Sequence, residues 1–293
     1  MNVDRNGPLP VLALLYASSF WGFVWYPVRS LEQLGMGGLW LALVSYLSAL
    51  LVLLALRMPR LAALRGYWRD ALWLTLAAGW TNVAFLLAVL SDEVVRVVIL
   101  FYLSPLWAVL LARWLLGEPI RLVSAAMLLL GLGGAGVMLW QEDLLHTPPG
   151  RGDLLALSAG FGFALTNVMT RRLERLDTPL KTQLTWLGVV LMAAVLIVLL
   201  GESLPRSGAE AWMGAAGLGL LGFMFSTLCV VYAVSRMPVQ RSAVIMLFEV
   251  LVGAASAWWL AGEQIDAREW LGGTMIIAAG LVAVSSARRQ APA

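Results

Sequence analysis

The chain has 293 residues, of which 61% are hydrophobic and 13% are charged, and its formal net charge is +3 at pH 7. Globular proteins contain roughly 45–50% apolar and about 25% charged residues, so this composition excludes a water-soluble fold. A single cysteine, Cys229, rules out an intramolecular disulfide. The ten-residue alternating segments typical of an outer-membrane barrel do not occur. The composition therefore predicts an all-α integral membrane protein.

Apolar stretches long enough to cross about 30 Å of hydrocarbon as helices follow one another along the whole chain. They cover residues 9–28, 34–56, 71–90, 94–116, 122–140, 154–170, 181–200, 211–235, 242–261 and 270–287. The sequence therefore predicts ten transmembrane helices.

Lys and Arg residues are distributed unequally between the two faces that these spans define. The face of the N-terminus receives 15 of the 20 Lys and Arg residues, and the other face receives 5. Basic loops stay on the cytoplasmic side of a membrane. We therefore predict a multi-pass protein of the cell inner (plasma) membrane, in which both termini and the loops 57–70 and 171–181 are cytoplasmic. The positive net charge follows from this topology, so no nucleic-acid partner is expected.

The two halves of the chain share short motifs. The linker 141–153 is polar and rich in Pro and Gly, and five predicted spans lie on each side of it. The pattern WLxGExI occurs at 114–120 and again at 259–265, and RxLE occurs at 29–32 and again at 171–174. The motifs therefore indicate an internal repeat of five helices.

Each repeat contains an odd number of spans, so the second repeat enters the membrane from the opposite face. The prediction is two inverted five-helix repeats, residues 1–145 and 146–293. Transporters use such repeats to build a site near the bilayer midplane that faces either side in turn.

Three features occur together: the five-plus-five plan, the neighbours Trp21 and Gly22 in the first span, and Leu-Gly-Glu at 116–118, at the end of the fourth. In these features the chain resembles the drug/metabolite transporter superfamily, in its EamA-type ten-helix branch, and looks most like a bacterial exporter of aromatic amino acids. Family members often have Glu-Pro within the ninth span, where this chain has Glu249 followed by valine. Pro105 keeps a kink in the fourth span.

Two glycine patterns, at 131–136 and 217–222, match a dinucleotide-binding fingerprint. That fingerprint functions only where a strand turns into a helix, and both patterns lie inside predicted membrane helices, where small residues allow close packing. The only histidine, His146, lies in the central linker, and no Cys, His and carboxylate cluster has the spacing of metal ligands. The sequence predicts no cofactor, no metal site, no catalytic residues and no enzymatic activity.

Polar residues deep in a span need a partner or a function. Glu249 is the only carboxylate far from a span end, and Ser104 is its counterpart in the first repeat. It either hydrogen-bonds a hydroxyl on a neighbouring helix or meets a cation or proton in a cavity. Asn82 and its counterpart Thr227 lie in the middle of the third and eighth spans, where they either bridge helices or line the cavity.

Aromatic residues lie at matching depths in the two halves. Trp21 and Trp25 are four residues apart and share one helix face. Trp21 aligns with Phe163, Trp25 with Asn167, and Trp80 with Phe225. They either line a cavity on the pseudo-twofold axis or fill gaps between helices. The predicted substrate-binding residues are Trp21, Trp25, Trp80, Asn82, Tyr102, Ser104, Phe163, Asn167, Phe225, Thr227 and Glu249.

The resemblance and these residues predict a secondary active transporter that exports small organic solutes by alternating access. The expected substrates are amino acids, aromatic ones above all, and related aromatic or cationic compounds. A proton or the electrochemical potential is the expected driving force. The alternatives are a channel, a membrane-embedded enzyme, and a phosphate-sugar exchanger of the same superfamily. The last would need a deep Arg or Lys, and the spans contain none at mid-depth.

Overall fold

The computed structural model describes residues 8–91, 94–140, 150–261 and 267–288, and within these ranges all regular structure is helical. The α-helices are α1 (Leu9–Phe23), α2 (Trp25–Gln33), α3 (Gly38–Leu56), α4 (Trp68–Ser91), α5 (Val94–Phe101), α6 (Ser104–Leu115), α7 (Leu122–Met138), α8 (Arg151–Arg172), α9 (Thr178–Leu200), α10 (Ala209–Gly217), α11 (Met224–Val234), α12 (Val239–Met246), α13 (Phe248–Ala261) and α14 (Ala267–Arg288). A π-helical segment, Leu218–Phe223, joins α10 to α11. The prediction of an all-α protein is confirmed over these residues.

Among the residues that the structure describes, eight helical stretches are long and apolar enough to cross a membrane. They are Leu9–Gln33, Gly38–Leu56, Trp68–Ala88, Val97–Leu115, Arg151–Arg172, Thr178–Leu200, Ala209–Val234 and Val239–Leu260. Shorter apolar helices, Leu122–Met138 and Trp270–Val282, lie where the sequence predicts the fifth and tenth spans. For these two helices a full crossing stays a prediction. His146 and Glu263 lie outside the described residues.

The ends of the helices follow from local sequence. The side chain of Asp153 accepts a 2.8 Å hydrogen bond from the backbone N–H of Gly150 at the start of α8. Asp177 precedes α9, and its side chain accepts a 3.2 Å hydrogen bond from the N–H of Leu180. Such side chains satisfy N–H groups that have no partner inside the helix. Gly201 ends α9 with a φ of 66°, a conformation that glycine adopts without steric cost.

The helices of the two halves pack across each other more than within each half. α4 packs against α8 and α9, and α1 packs against α11 and α13. α5 and α6 lie against α8, α7 lies against α14, and α3 contacts α9 and the π-helical segment. The core therefore lies between residues 8–140 and residues 150–288.

Each of the two fingerprint patterns has a glycine at a close helix crossing. A Cβ atom on Gly134 in α7 would lie 2.6 Å from the carbonyl oxygen of Gly272 in α14. A Cβ atom on Gly219 would lie 2.1 Å from the carbonyl oxygen of Ser45 in α3. Contacts this short require glycine, because any larger residue would push the helices apart. The structure thus gives both patterns a role in packing.

Candidate functional site

A pocket lies among α6, α8 and α12, next to the junctions α5–α6 and α12–α13. The empty space at this pocket is about 410 Å³, a volume that includes space open to the surroundings. Its lining residues are Phe101, Tyr102, Ser104, Pro105, Ala108, Phe163, Asn167, Val239, Ser242, Ala243, Met246, Leu247 and Glu249. The pocket therefore brings together five of the predicted site residues, namely Tyr102, Ser104, Phe163, Asn167 and Glu249.

Both helix interruptions beside the pocket have the same hydrogen-bond pattern. The N–H of Leu103 donates to the carbonyl of Leu100 at 3.2 Å, and the N–H of Leu247 donates to the carbonyl of Val244 at 3.3 Å. Each bond spans three residues instead of the four of an α-helix. Pro105 lacks an N–H and explains the first interruption. The second interruption forms with no proline, although the sequence departs there from the Glu-Pro of the family.

Glu249 and Tyr102 come from different interrupted spans and meet at the pocket. The Tyr102 hydroxyl is the side-chain hydrogen-bond partner of the Glu249 carboxyl group. Glu249 is half-buried, whereas Ser104 is only 3% exposed. A carboxylate has about four acceptor sites, so one phenol donor leaves capacity for a guest in the pocket.

The position of Glu249 depends on the close approach of α1. A Cβ atom on Gly22 would lie 2.4 Å from the backbone oxygen of Glu249 and 2.9 Å from the N of Gly253. The same crossing is tied by Trp25, whose Nε1 donates a 2.8 Å hydrogen bond to Oγ of Ser256 in α13. Trp25 therefore bridges α1–α2 to α13 and does not line the pocket. Gly22, noted in the sequence only as part of a family motif, fixes the backbone that carries the acid.

Two phenylalanines form an aromatic wall of the pocket. The ring centroids of Phe101 and Phe163 are 5.5 Å apart, with 48° between the ring planes. Phe163 was predicted from the repeat, whereas Phe101 was missed. The signal that could have found Phe101 is its place just before the interruption that Pro105 causes.

Trp21 belongs to a separate aromatic stack. Its ring lies parallel to that of Phe223, with centroids 5.3 Å apart and 14° between the planes. Phe223 in turn stacks on Tyr46, at 4.9 Å and 19°. These three rings join α1, α3 and the π-helical segment and lie in one hydrophobic cluster with Trp186. Trp21 therefore packs between helices and does not line the pocket.

The other predicted site residues also lie away from the pocket lining. Asn82 accepts a 3.2 Å hydrogen bond from the Tyr46 hydroxyl and so bridges α4 to α3. Trp80 and its counterpart Phe225 are both exposed, at 40% and 49%, and Nε1 of Trp80 donates to Oγ of Ser158 at 3.3 Å. Thr227 is buried in α11. A role of these side chains in substrate binding stays a prediction.

A network of charged residues lies where α6 and α8 end and α12 begins. Nε of Arg171 is 3.5 Å from Oε1 of Glu118, and Nη1 of Arg171 is 2.9 Å from Oε2 of Glu174. The same Nη1 donates a 2.7 Å hydrogen bond to the carbonyl of Ser235. The N–H of Val239 donates to Oε2 of Glu118 at 3.1 Å. The sequence identified Glu118, Arg171 and Glu174 only as members of repeat motifs and did not predict that they contact one another.

No group of three or more His, Cys, Asp or Glu residues is placed to hold a metal ion within the ranges that the structure describes. The pocket lining contains one carboxylate, three aromatic rings and the polar side chains of Ser104, Asn167 and Ser242. Such a lining is suited to non-covalent binding of a small organic solute.

Comparison with known proteins identifies the family of this chain. An uncharacterized transporter of Archaeoglobus fulgidus is 26% identical over 203 residues, which are 69% of this chain and 72% of that protein. A protein of known crystal structure has the same fold, with a TM-score of 0.76 and 21% identity over 96% of this chain and 99% of that one. The EamA-like transporter family matches residues 8–140 and, separately, residues 150–285. The chain thus belongs to the EamA-like transporter family, whose members are multi-pass proteins that carry small molecules across membranes.

Proposed function

We propose that the protein is a secondary active transporter that moves small organic solutes by alternating access, with the pocket beside Glu249 as its substrate site. The observation that carries this proposal is the place of the pocket. Its lining comes from both segments that match the family, and it lies at the interruptions of two spans. Interrupted helices at the interface of two repeats are where transporters commonly bind their substrates.

We also propose ten transmembrane helices in two inverted repeats, residues 1–145 and 146–293, with both termini in the cytoplasm of an inner-membrane protein. The packing supports the repeats. In the other half of the chain, the counterparts of α4 and α8 are α11 and α1, and these two helices are in contact just as α4 and α8 are. Likewise, the contact of α5 and α6 with α8 corresponds to that of α12 and α13 with α1. The two separate matches to the family agree with this division.

The substrates that this pocket favours are amines and amino acids with an aromatic side chain, or other aromatic cations. Glu249 supplies a negative charge for an ammonium group, and Phe101 and Phe163 supply ring faces that attract a cation or pack against an aromatic ring. Asn167 supplies an amide that can donate hydrogen bonds to a carboxylate. A phosphorylated sugar fits poorly, because the pocket lining contains neither Arg nor Lys.

In this proposal coupling follows from the same acid, and export results when a proton that enters the cell exchanges for a substrate that leaves it. Glu249 would bind either the cationic substrate or a proton, so that only the neutralised site changes the side it faces. Tyr102, which interacts with the acid, would hold the carboxyl group in place while the guest is exchanged. A proton gradient or the electrochemical potential would then drive the cycle.

Uptake and counterflow in liposomes test the proposal. The purified protein is reconstituted and offered a panel of aromatic and aliphatic amino acids and quaternary amines. We expect saturable uptake of aromatic amines or amino acids, accelerated by unlabelled substrate on the opposite side, because a carrier exchanges and a channel does not. Glu249→Gln should abolish this flux, whereas Glu202→Gln, at the exposed end of α9, should not. Flux without acceleration would indicate a channel, and absence of flux for the whole panel would overturn the proposed substrate class.

A further inference from the structure

Residues Glu118 and Arg171 connect the tips of two half-helices that bound the pocket. α6 begins at Ser104, beside the interruption at Leu103, and the chain leaving its other end reaches Glu118. α12 begins at Val239 and ends at the interruption at Leu247. Each half-helix therefore has an interruption at one end and the charged network at the other.

The charged network lies directly on the pocket. Val239 lines the pocket, and its N–H is held by Glu118 at 3.1 Å. Arg171 binds Glu118 and the carbonyl of Ser235, the residue just after α11. Next to them, Nε2 of Gln240 donates a 2.9 Å hydrogen bond to the carbonyl of Pro119. These bonds cross from the α6–α8 side of the pocket to the α11–α12 side.

The ion pair between Arg171 and Glu118 is partly buried, so it contributes more to stability than an ion pair on an exposed surface. The side chains of Arg171 and Glu118 are only 20% and 18% exposed. Exposed ion pairs contribute little because water screens them, whereas partly buried pairs with additional hydrogen bonds are screened much less. The network can therefore stabilise one arrangement of α6 and α12 relative to another.

The repeat places two matching residues on the other face. Arg29 and Glu32 occupy the positions of Arg171 and Glu174 in the RxLE motif of the first half. Both side chains are exposed in this structure. A transporter with inverted repeats exchanges the roles of its halves when it changes sides, so residues engaged in one state correspond to residues released in the other.

We propose that Glu118 and Arg171 form a latch that closes the pocket toward the face of the N-terminus, called the basic face because most Lys and Arg residues lie there. When the pocket opens to the basic face, Arg29 and Glu32 close it toward the opposite face. The interruptions at Leu103 and Leu247 are the hinges about which α6 and α12 turn when the latch opens. This proposal rests on alternating access as the proposed function, but its test needs no transported substrate.

A cysteine in the pocket reports whether the latch is closed. Ala108 lines the pocket on α6 and is replaced by Cys in a Cys229→Ser background, with Ala243→Cys on α12 as a second reporter. Membrane vesicles that expose the loop 171–181 are treated with a membrane-impermeant maleimide, and an Arg175→Cys variant on that exposed loop verifies their orientation. The measured quantity is the labelling rate of the pocket cysteine from each face.

Removing the latch should raise labelling from the basic face. We expect Arg171→Gln to raise it about fivefold or more, within the range of typical coupling between conformational states, and to lower labelling from the opposite face. Glu118→Gln should have a smaller effect, because the amide oxygen still accepts the bond from Val239. Adding Arg29→Gln to Arg171→Gln should lower the rate again, because it weakens the state that the first variant favours.

The matched control is Arg172→Gln. Arg172 pairs with Asp70 at 3.0 Å and bonds the carbonyl of Leu115, so it ties α8 to α4 and α6 at the same face without binding the α11–α12 side. Equal rates for Arg171→Gln and Arg172→Gln with both reporters would overturn the latch. A double variant that labels like Arg171→Gln alone would overturn the part assigned to Arg29. A rate change without transport of any panel solute would instead reject the proposed substrates and leave the latch standing.

Discussion

The Tyr46 hydroxyl donates a 3.2 Å hydrogen bond to Oδ1 of Asn82, which connects α3 to α4 outside the pocket. Nδ2 of Asn82 donates to the carbonyl of Ala78 at 3.0 Å, so both ends of the amide are engaged. The sequence left two roles open for Asn82, helix bridging and cavity lining. The geometry favours the bridge.

Asn82→Leu should therefore lower the stability of the protein without changing its apparent affinity for substrate. Hydrogen bonds between membrane helices contribute about 0.6 kcal/mol on average and up to about 1.7 kcal/mol. Thermal unfolding in detergent should show a decrease of this order, and Tyr46→Phe should show a similar one, with no further loss in the double variant. If Asn82→Leu raises the apparent substrate constant and Tyr46→Phe does not, Asn82 contributes to substrate binding.

Phe163 and Trp21 should respond differently to substitution by leucine. Phe163 lines the pocket beside Phe101, and loss of a ring that contacts a cation or an aromatic guest costs about 0.5–2 kcal/mol. Phe163→Leu should therefore raise the apparent substrate constant several-fold, as measured by uptake. Trp21 stacks on Phe223, so Trp21→Leu should lower the unfolding temperature and leave the substrate constant unchanged. The reverse pattern would indicate that substrate binds at the aromatic stack and not in the pocket.

Tyr102 and Glu249 should act as a coupled pair in transport. A hydrogen bond to a charged group contributes about 1.5–3 kcal/mol, so Tyr102→Phe should weaken cation transport by roughly tenfold. In a Glu249→Gln background the same substitution should have little further effect, because residues that act through one another are not additive. A double-mutant cycle on binding of a quaternary amine measures this coupling. Additive losses would show that the two residues act independently.

Gly22 should be intolerant even of alanine. The added Cβ would lie 2.4 Å from the backbone oxygen of Glu249, and overpacking of this kind typically costs about 1–3 kcal/mol. Gly22→Ala should lower both the unfolding temperature and transport. Gly136→Ala is the control, because no atom of the described residues lies within 4 Å of its added Cβ and alanine favours a helix by roughly 0.5–1 kcal/mol. Equal behaviour of the two variants would mean that α1 does not fix the position of Glu249.

The sequence predicts the depth of a residue in the membrane better than it predicts the direction of its side chain. Trp21 and Phe163 were matched by depth, yet one stacks between helices and the other lines the pocket. A soluble helix shows which face is buried by its hydrophobic periodicity, but a membrane helix is apolar on the lipid side as well. The interruption at Leu247 was also not predictable, since no proline or glycine marks it. Glu249 and Tyr102 could be found because a polar group deep in a span stands out.

The orientation of the protein follows from the loops, and two cysteines test it. Ala63 lies in the loop between α3 and α4, Ser203 lies in the loop between α9 and α10, and both are exposed. The first loop contains Arg57, Arg60 and Arg65, so it should remain in the cytoplasm. In a Cys229→Ser background, an impermeant maleimide added to intact cells should label Ser203→Cys, and Ala63→Cys should react only after lysis. Labelling of Ala63→Cys in intact cells, with protection of Ser203→Cys, would invert the topology and place the proposed Glu118–Arg171 latch at the outer face.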